Sequence, residues 1–168
     1  VPDVLQLVFE KQRRALAHCP YVVVPSPPME GVLRGCHPGL PQGRIQVLPW
    51  GSPICQPTPE DVETAREALL QEWGLQSGVP MLVTLSRIAP EKNQGLLLDA
   101  LRLGEEEGQT PPGLTVVIAG EASFMGGQKY RRKLEAKAGR LRRTRVIFSG
   151  HVAGARKRAL LEMAHLFI

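Results

Sequence analysis

A chain of 168 residues, 43% of them hydrophobic, can bury one core, or one and part of a second. No run approaches about 18 uninterrupted apolar residues, so no spanning helix is expected; residues 1–17 carry charges throughout, which argues against a signal peptide. Lys and Arg number 21 against 16 acids, a net charge of +5, and the three cysteines, Cys19, Cys36 and Cys55, are too widely spaced for a disulfide framework or a zinc pattern. They read as reduced thiols of a cytoplasmic protein. Cys36-His37 could be half of a metal or catalytic pair, but nothing nearby completes one.

Residues 4–17 set Val4, Leu5, Val8, Phe9, Ala15 and Leu16 among charges, the pattern of an amphipathic helix. A short buried strand is predicted over 20–24, a single helical turn over 29–33, a Gly- and Pro-rich loop over 34–43 and another strand over 45–48. Thr58-Pro59-Glu60-Asp61 opens a helix: Thr58 can cap it, Pro59 suits its first turn, and the acids favour its positive end. Val62, Ala65, Leu69 and Trp73 share its apolar face, and Gly74 ends it.

The central stretch runs from 79 to 101. An apolar strand, 81–85, breaks into the polar turn 86–93 and then into a helix patterned by Leu96, Leu97, Ala100 and Leu101. An exposed loop over 105–113 leads to a second strand, 114–119, and Gly120-Glu121. Gly126-Gly127 suits either chain reversal or phosphate binding. A basic helix over 128–143, a third strand over 145–149, a helix over 156–164 and a fourth buried strand from 166 complete the alternation. Strand and helix in alternation predict an α/β fold, a Rossmann-like parallel sheet flanked by helices. Ligands of such sheets bind at the carboxyl ends of the strands, where Arg87 and Lys92 fall. Arg presents a planar fork of donors and Lys a point charge, a pair that suits a diphosphate. Two solvated loop cations are the competing reading.

Ser86-Arg87-Ile88-Ala89-Pro90-Glu91-Lys92-Asn93, leading into an apolar helix, resembles the donor-site segment of retaining glycosyltransferases of family 4, which have the two-domain GT-B fold. Further motifs follow in that family's order. Arg44-Ile45-Gln46-Val47-Leu48-Pro49 resembles its interdomain segment, although Trp50 and Ser52-Pro53 depart from it. Val117-Ile118-Ala119-Gly120-Glu121 resembles its second strand turn, and Arg145-Val146-Ile147-Phe148-Ser149-Gly150-His151-Val152 its third. The resemblance implies that residues 1–48 are the tail of a first, acceptor-side domain with its linker. Residues 49–168 would then be part of a nucleotide-sugar-binding domain.

The implied activity is transfer of a hexosyl group from a nucleotide-diphosphate sugar to a glycan, lipid-linked or small-sugar acceptor. Arg87 and Lys92 would grip the diphosphate and carry the catalysis. Gly150, His151 and Val152 would line the base pocket, with Gly120 near the nucleoside. The nucleotide sugar is the donor substrate, and no metal or other cofactor is expected. The chain begins at Val1 and stops at Leu166-Phe167-Ile168 within a strand, so a piece of a longer protein is expected. A Glu pair beyond Ile168 is implied too, and this piece alone is expected to bind nucleotide weakly and transfer nothing.

Twelve of the 21 Lys and Arg residues fall within 129–158, against Glu135 alone among the acids. This segment is either a solvated face or a contact for an anionic membrane surface, which would make the protein peripheral on the membrane. Aromatics are 5% and no base-reading motif is present, so nucleic acid is not expected. A non-catalytic nucleotide-binding or regulatory module, and another GT-B enzyme such as a sugar-nucleotide epimerase, stand as alternatives. A dinucleotide oxidoreductase is disfavoured by the absence of Gly-x-Gly-x-x-Gly at the first βα turn.

Overall fold

The computed structural model describes residues 3–51, 56–122 and 126–168. The chain divides into two compact units, Val1–Ile54 and Cys55–Ile168, and each contains a parallel sheet.

In the first unit, α1 (Val4–His18) starts on Asp3, whose carboxylate accepts the Leu5 N–H at 3.1 Å. β1 (Val22–Val24) pairs in parallel with β2 (Ile45–Val47), Val22 opposite Ile45. Val24 and Ile45 are buried while Val23 is exposed, so these strands are less enclosed than their composition suggested. α2 (Pro27–Cys36) is longer than the single turn expected. Its prolines fill the first turn, where a missing N–H costs nothing, and Glu30 pairs with Arg34 one turn on, at 2.7 Å. The Arg44 guanidinium donates to the carbonyls of Leu16, Cys19 and Pro20, supplying partners that the end of α1 cannot find within the helix.

The second unit is a four-stranded parallel sheet with helices on both faces. Its elements are α3 (Pro59–Trp73), β3 (Met81–Leu85), α4 (Gln94–Glu106), β4 (Thr115–Ala119), α5 (Gly127–Ala138), β5 (Arg145–Gly150), α6 (Gly154–Met163) and β6 (Leu166–Phe167). The strand order is β5-β4-β3-β6. Successive side chains of a strand point to opposite faces. Met81, Val83, Val117 and Ala119 therefore pack with Leu69 and Trp73 of α3 and Ala159 and Leu160 of α6. Leu82, Val116 and Ile118 pack with Leu98 of α4 and Leu134 of α5. With both faces covered, the strands read as continuous apolar runs.

α3 is held as its sequence implied. The Thr58 hydroxyl accepts the Asp61 N–H at 3.1 Å, the Asp61 carboxylate accepts the Thr58 N–H at 3.2 Å, and Gly74 closes the helix in the left-handed conformation. Three expectations fail in instructive ways. α4 continues through Glu105, which is no loop residue: its carboxylate accepts the N–H groups of Arg142, Arg143 and Thr144 at 2.7–3.0 Å. That clamp sets a turn before β5, so α5 stops at Ala138 rather than running on to 143. β6 is an edge strand with Leu166 and Phe167 about half exposed, not a buried one.

The chain runs outward from β3 to β4 to β5, then returns to lay β6 on the other side of β3. The carboxyl end of β3 thus lies at the point where strand order reverses, the usual place for a ligand in an open α/β sheet.

Candidate functional site

Backbone hydrogen bonds draw the carboxyl ends of three strands together. The Ser86 N–H donates to the Ala119 carbonyl at 3.0 Å, Ile88 N–H to Glu121 at 2.9 Å, and Gly120 N–H to Gly150 at 2.7 Å. The approach leaves no room for a side chain at 120. Gly120 has φ of +140°, and a Cβ there would sit 2.0 Å from the Ser86 carbonyl oxygen.

A cleft of about 210 Å³ opens over this junction. Ser86 and Arg87 enter it from the turn after β3, Gly120 and Glu121 from the turn after β4, and His151 and Val152 from the turn after β5. Four of the six residues picked from the sequence, Arg87, Gly120, His151 and Val152, therefore meet at one place. Gly150 is absent from the lining; with φ of +70° it contributes its carbonyl to the junction behind. Lys92 is also outside the lining. It ends a one-turn 3₁₀ helix, Pro90–Lys92, and is exposed just ahead of the left-handed Asn93 and the start of α4.

The Arg87 side chain is half exposed and pairs with Glu91 at 3.4 Å. In water such a contact is weak, so a multiply charged anion can compete with it for the guanidinium. Glu121 was not foreseen as a lining residue. Its exposed carboxylate can only accept hydrogen bonds, which suits hydroxyl groups and opposes phosphate. Gln94 was not foreseen either. It opens α4, yet its side chain is 2% exposed and its amide donates to the Ser86 hydroxyl at 3.0 Å and the Arg87 carbonyl at 2.8 Å. The one signal for it was a polar residue in the first turn of a helix otherwise patterned by leucines.

A larger cavity, about 590 Å³, lies within the first unit against Phe9, Leu16 and Leu40. Cys36 and His37 border it. Cys36 is an exposed free thiol, while His37 is buried, its Nε2 without a partner among the described residues and its ring 6.4 Å from that of Phe9. Among the described residues the His37 Nε2 has no hydrogen-bond partner, the Cys36 thiol included, so size alone does not make this cavity the site. Among the described residues no cluster of three or more His, Cys, Asp or Glu side chains could hold a metal ion. Nor, among them, is any helix long and apolar enough to cross a membrane.

Comparison with solved structures finds the HepE protein of Anabaena. With UDP-glucose bound, it superposes with a TM-score of 0.63 at 25% identity, over 88% of this chain and 37% of that one. Its UDP complex gives 0.62 at 25% identity, again over 88% and 37%. A third structure, with UDP and glucose, gives 0.60 at 23% identity over 84% and 36% and speaks to fold alone. The chain thus spans a little over one third of the HepE length. No curated protein matches it. The architecture is that of a GT-B glycosyltransferase. The sequence profile described as "Glycosyl transferases group 1" matches residues 65–168, the greater part of the chain and all of the sheet just described, and the chain belongs to that family.

Proposed function

We propose that this chain is part of a retaining, family-4-type glycosyltransferase that takes a hexosyl group from a nucleoside-diphosphate sugar. The observation that carries the reading is the position of Arg87, in a cleft over the joined ends of three parallel strands, beside the topological switch point. Solved structures that hold UDP and UDP-glucose share the fold at 25% identity, which supports a nucleotide sugar as the ligand.

In this reading the diphosphate lies against Arg87, with Lys92 closing on it from the 3₁₀ turn. Gly120, Gly150, His151 and Val152 flank the nucleoside, and the Glu121 carboxylate accepts from sugar or ribose hydroxyls. As the bond from the sugar to the diphosphate breaks, negative charge grows on the leaving group. The two cations stabilise it, so the step needs no metal ion. In this reading transfer belongs to the whole protein, which the match to 37% of a related chain supports. Residues 1–48 belong with the acceptor-side domain and 49–168 with the donor-side domain; alone, the piece holds nucleotide weakly. The protein is cytoplasmic, and the exposed cations after Gly127 rest it on an anionic membrane surface.

Replacing Arg87 or Lys92 with Ala in the full-length enzyme should lower turnover by about 100-fold or more. A mild effect from both would sink the assignment. Calorimetric titration of UDP, GDP and ADP would identify the base.

A further inference from the structure

We propose that Gln94 is a positioning residue for Arg87; this rests on the reading of Arg87 as a diphosphate ligand. Gln94 is almost fully buried, at 2% exposure, although it is polar and begins a helix. Its Nε2 donates both to the Ser86 hydroxyl at 3.0 Å and to the Arg87 carbonyl at 2.8 Å. The Ser86 hydroxyl in turn lies 3.3 Å from the Arg87 carbonyl. The amide cannot turn over without setting its oxygen against a carbonyl that only accepts, so its orientation is determined. The buried Oε1 has no partner among the described residues. An unpaired buried acceptor is a standing cost. A leucine would fill the same space without that cost and would suit the apolar pattern of α4.

What the amide does is hold one peptide. The Ser86 and Ile88 N–H groups are committed to β4 and the turn after it. Gln94 takes the carbonyl of the residue between them, Arg87. With Ser86, Arg87 and Ile88 all bonded, the Arg87 Cα–Cβ direction is settled before a ligand arrives. A guanidinium on a long side chain loses less freedom on binding when its root does not move.

The test is a double-mutant cycle on UDP affinity by calorimetry, using the whole 168-residue chain, with Arg87→Ala, Gln94→Leu and the pair. Arg87→Ala should weaken UDP about 10-fold or more, and Gln94→Leu about 5-fold. The pair should be no weaker than Arg87→Ala alone, because Gln94 acts through Arg87. Losses that multiply would show a merely structural Gln94 and overturn the inference, as would full affinity in Gln94→Leu. If the unsubstituted chain binds none of UDP, GDP and ADP, or Arg87→Ala leaves affinity unchanged, the functional reading itself falls; if it prefers GDP or ADP, the cycle is run on that nucleotide. Gln94→Glu guards against a misfolded leucine variant. Relative to the unsubstituted chain it should be weak near pH 8 and recover as pH falls, because burial raises a carboxyl and the protonated form regains a donor. A ratio that does not change with pH would count against the inference.

Discussion

Gly120 and Gly150 have similar surroundings in sequence and different obligations in space. At 120 a methyl group would collide with the backbone of Ser86; at 150 a Cβ would meet nothing within 4 Å, and only φ of +70° disfavours a side chain. Gly120→Ala should therefore cost about 3 kcal/mol or more, and Gly150→Ala about 1 kcal/mol, in urea denaturation. Equal losses would show that the ends of β3 and β4 can part without penalty. The resemblance alone put both glycines beside a nucleoside. The fold gives Gly120 a second duty, close backbone contact, which no local pattern announces because Ser86 lies 34 positions earlier in the chain.

At the scale of elements, the α5–β5 turn depends on a side chain from α4. Burial by itself would raise the Glu105 carboxyl. The hydrogen bonds from Arg142, Arg143 and Thr144 outweigh that and leave it below its ordinary value of 4.5. A carboxyl lowered in the folded state adds stability that is present above its unfolded pKa and lost as pH falls through the folded one. Glu105→Gln should cost about 1 kcal/mol near pH 7, discounted for its partial exposure. In thermal melts the gap from the unsubstituted protein should narrow as pH drops below 4.5 and through the lower folded value. A gap independent of pH would mean that the carboxylate is not the clamp. The same contact explains why the sequence suggests a longer α5 than the fold contains. Residues 140–143 carry helix-compatible cations; Gly139 caps the helix locally, and the long-range Glu105 carboxylate holds the turn that follows. α3, by contrast, is legible from end to end, because Thr58, Asp61 and Gly74 are all local signals.

At the scale of the molecule, the linear run of positive charge does not form one surface. Arg156 pairs with Glu72 at 2.7 Å and Arg158 with Glu162 at 2.6 Å, on the α3–α6 side of the sheet. On the α4–α5 side, Lys137 pairs with Asp99 and Arg131 with Glu135. Lys129, Arg132, Lys133, Arg142 and Arg143 are exposed there, and these are the cations proposed to meet a membrane. The protein should sediment with anionic vesicles at about 0.05 M salt and release by about 0.5 M, where screening shortens the reach of exposed charges to a few ångströms. Failure to bind at low salt would leave this face merely solvated.

Residue order by itself determined the alternation of strand and helix, the parallel sheet and the cation at the end of β3, since periodicity, caps and breakers act over a few neighbouring positions. Only the tertiary structure decided which turns share the cleft. It brought in Glu121, left Lys92 outside the lining, and set Gln94 under Arg87. Glu121 comes from a different crossover, and the packing of helices onto both faces of the sheet brings it to Arg87; Lys92 and Gln94 lie in the same crossover as Arg87, where the 3₁₀ turn and the left-handed Asn93 decide where each falls.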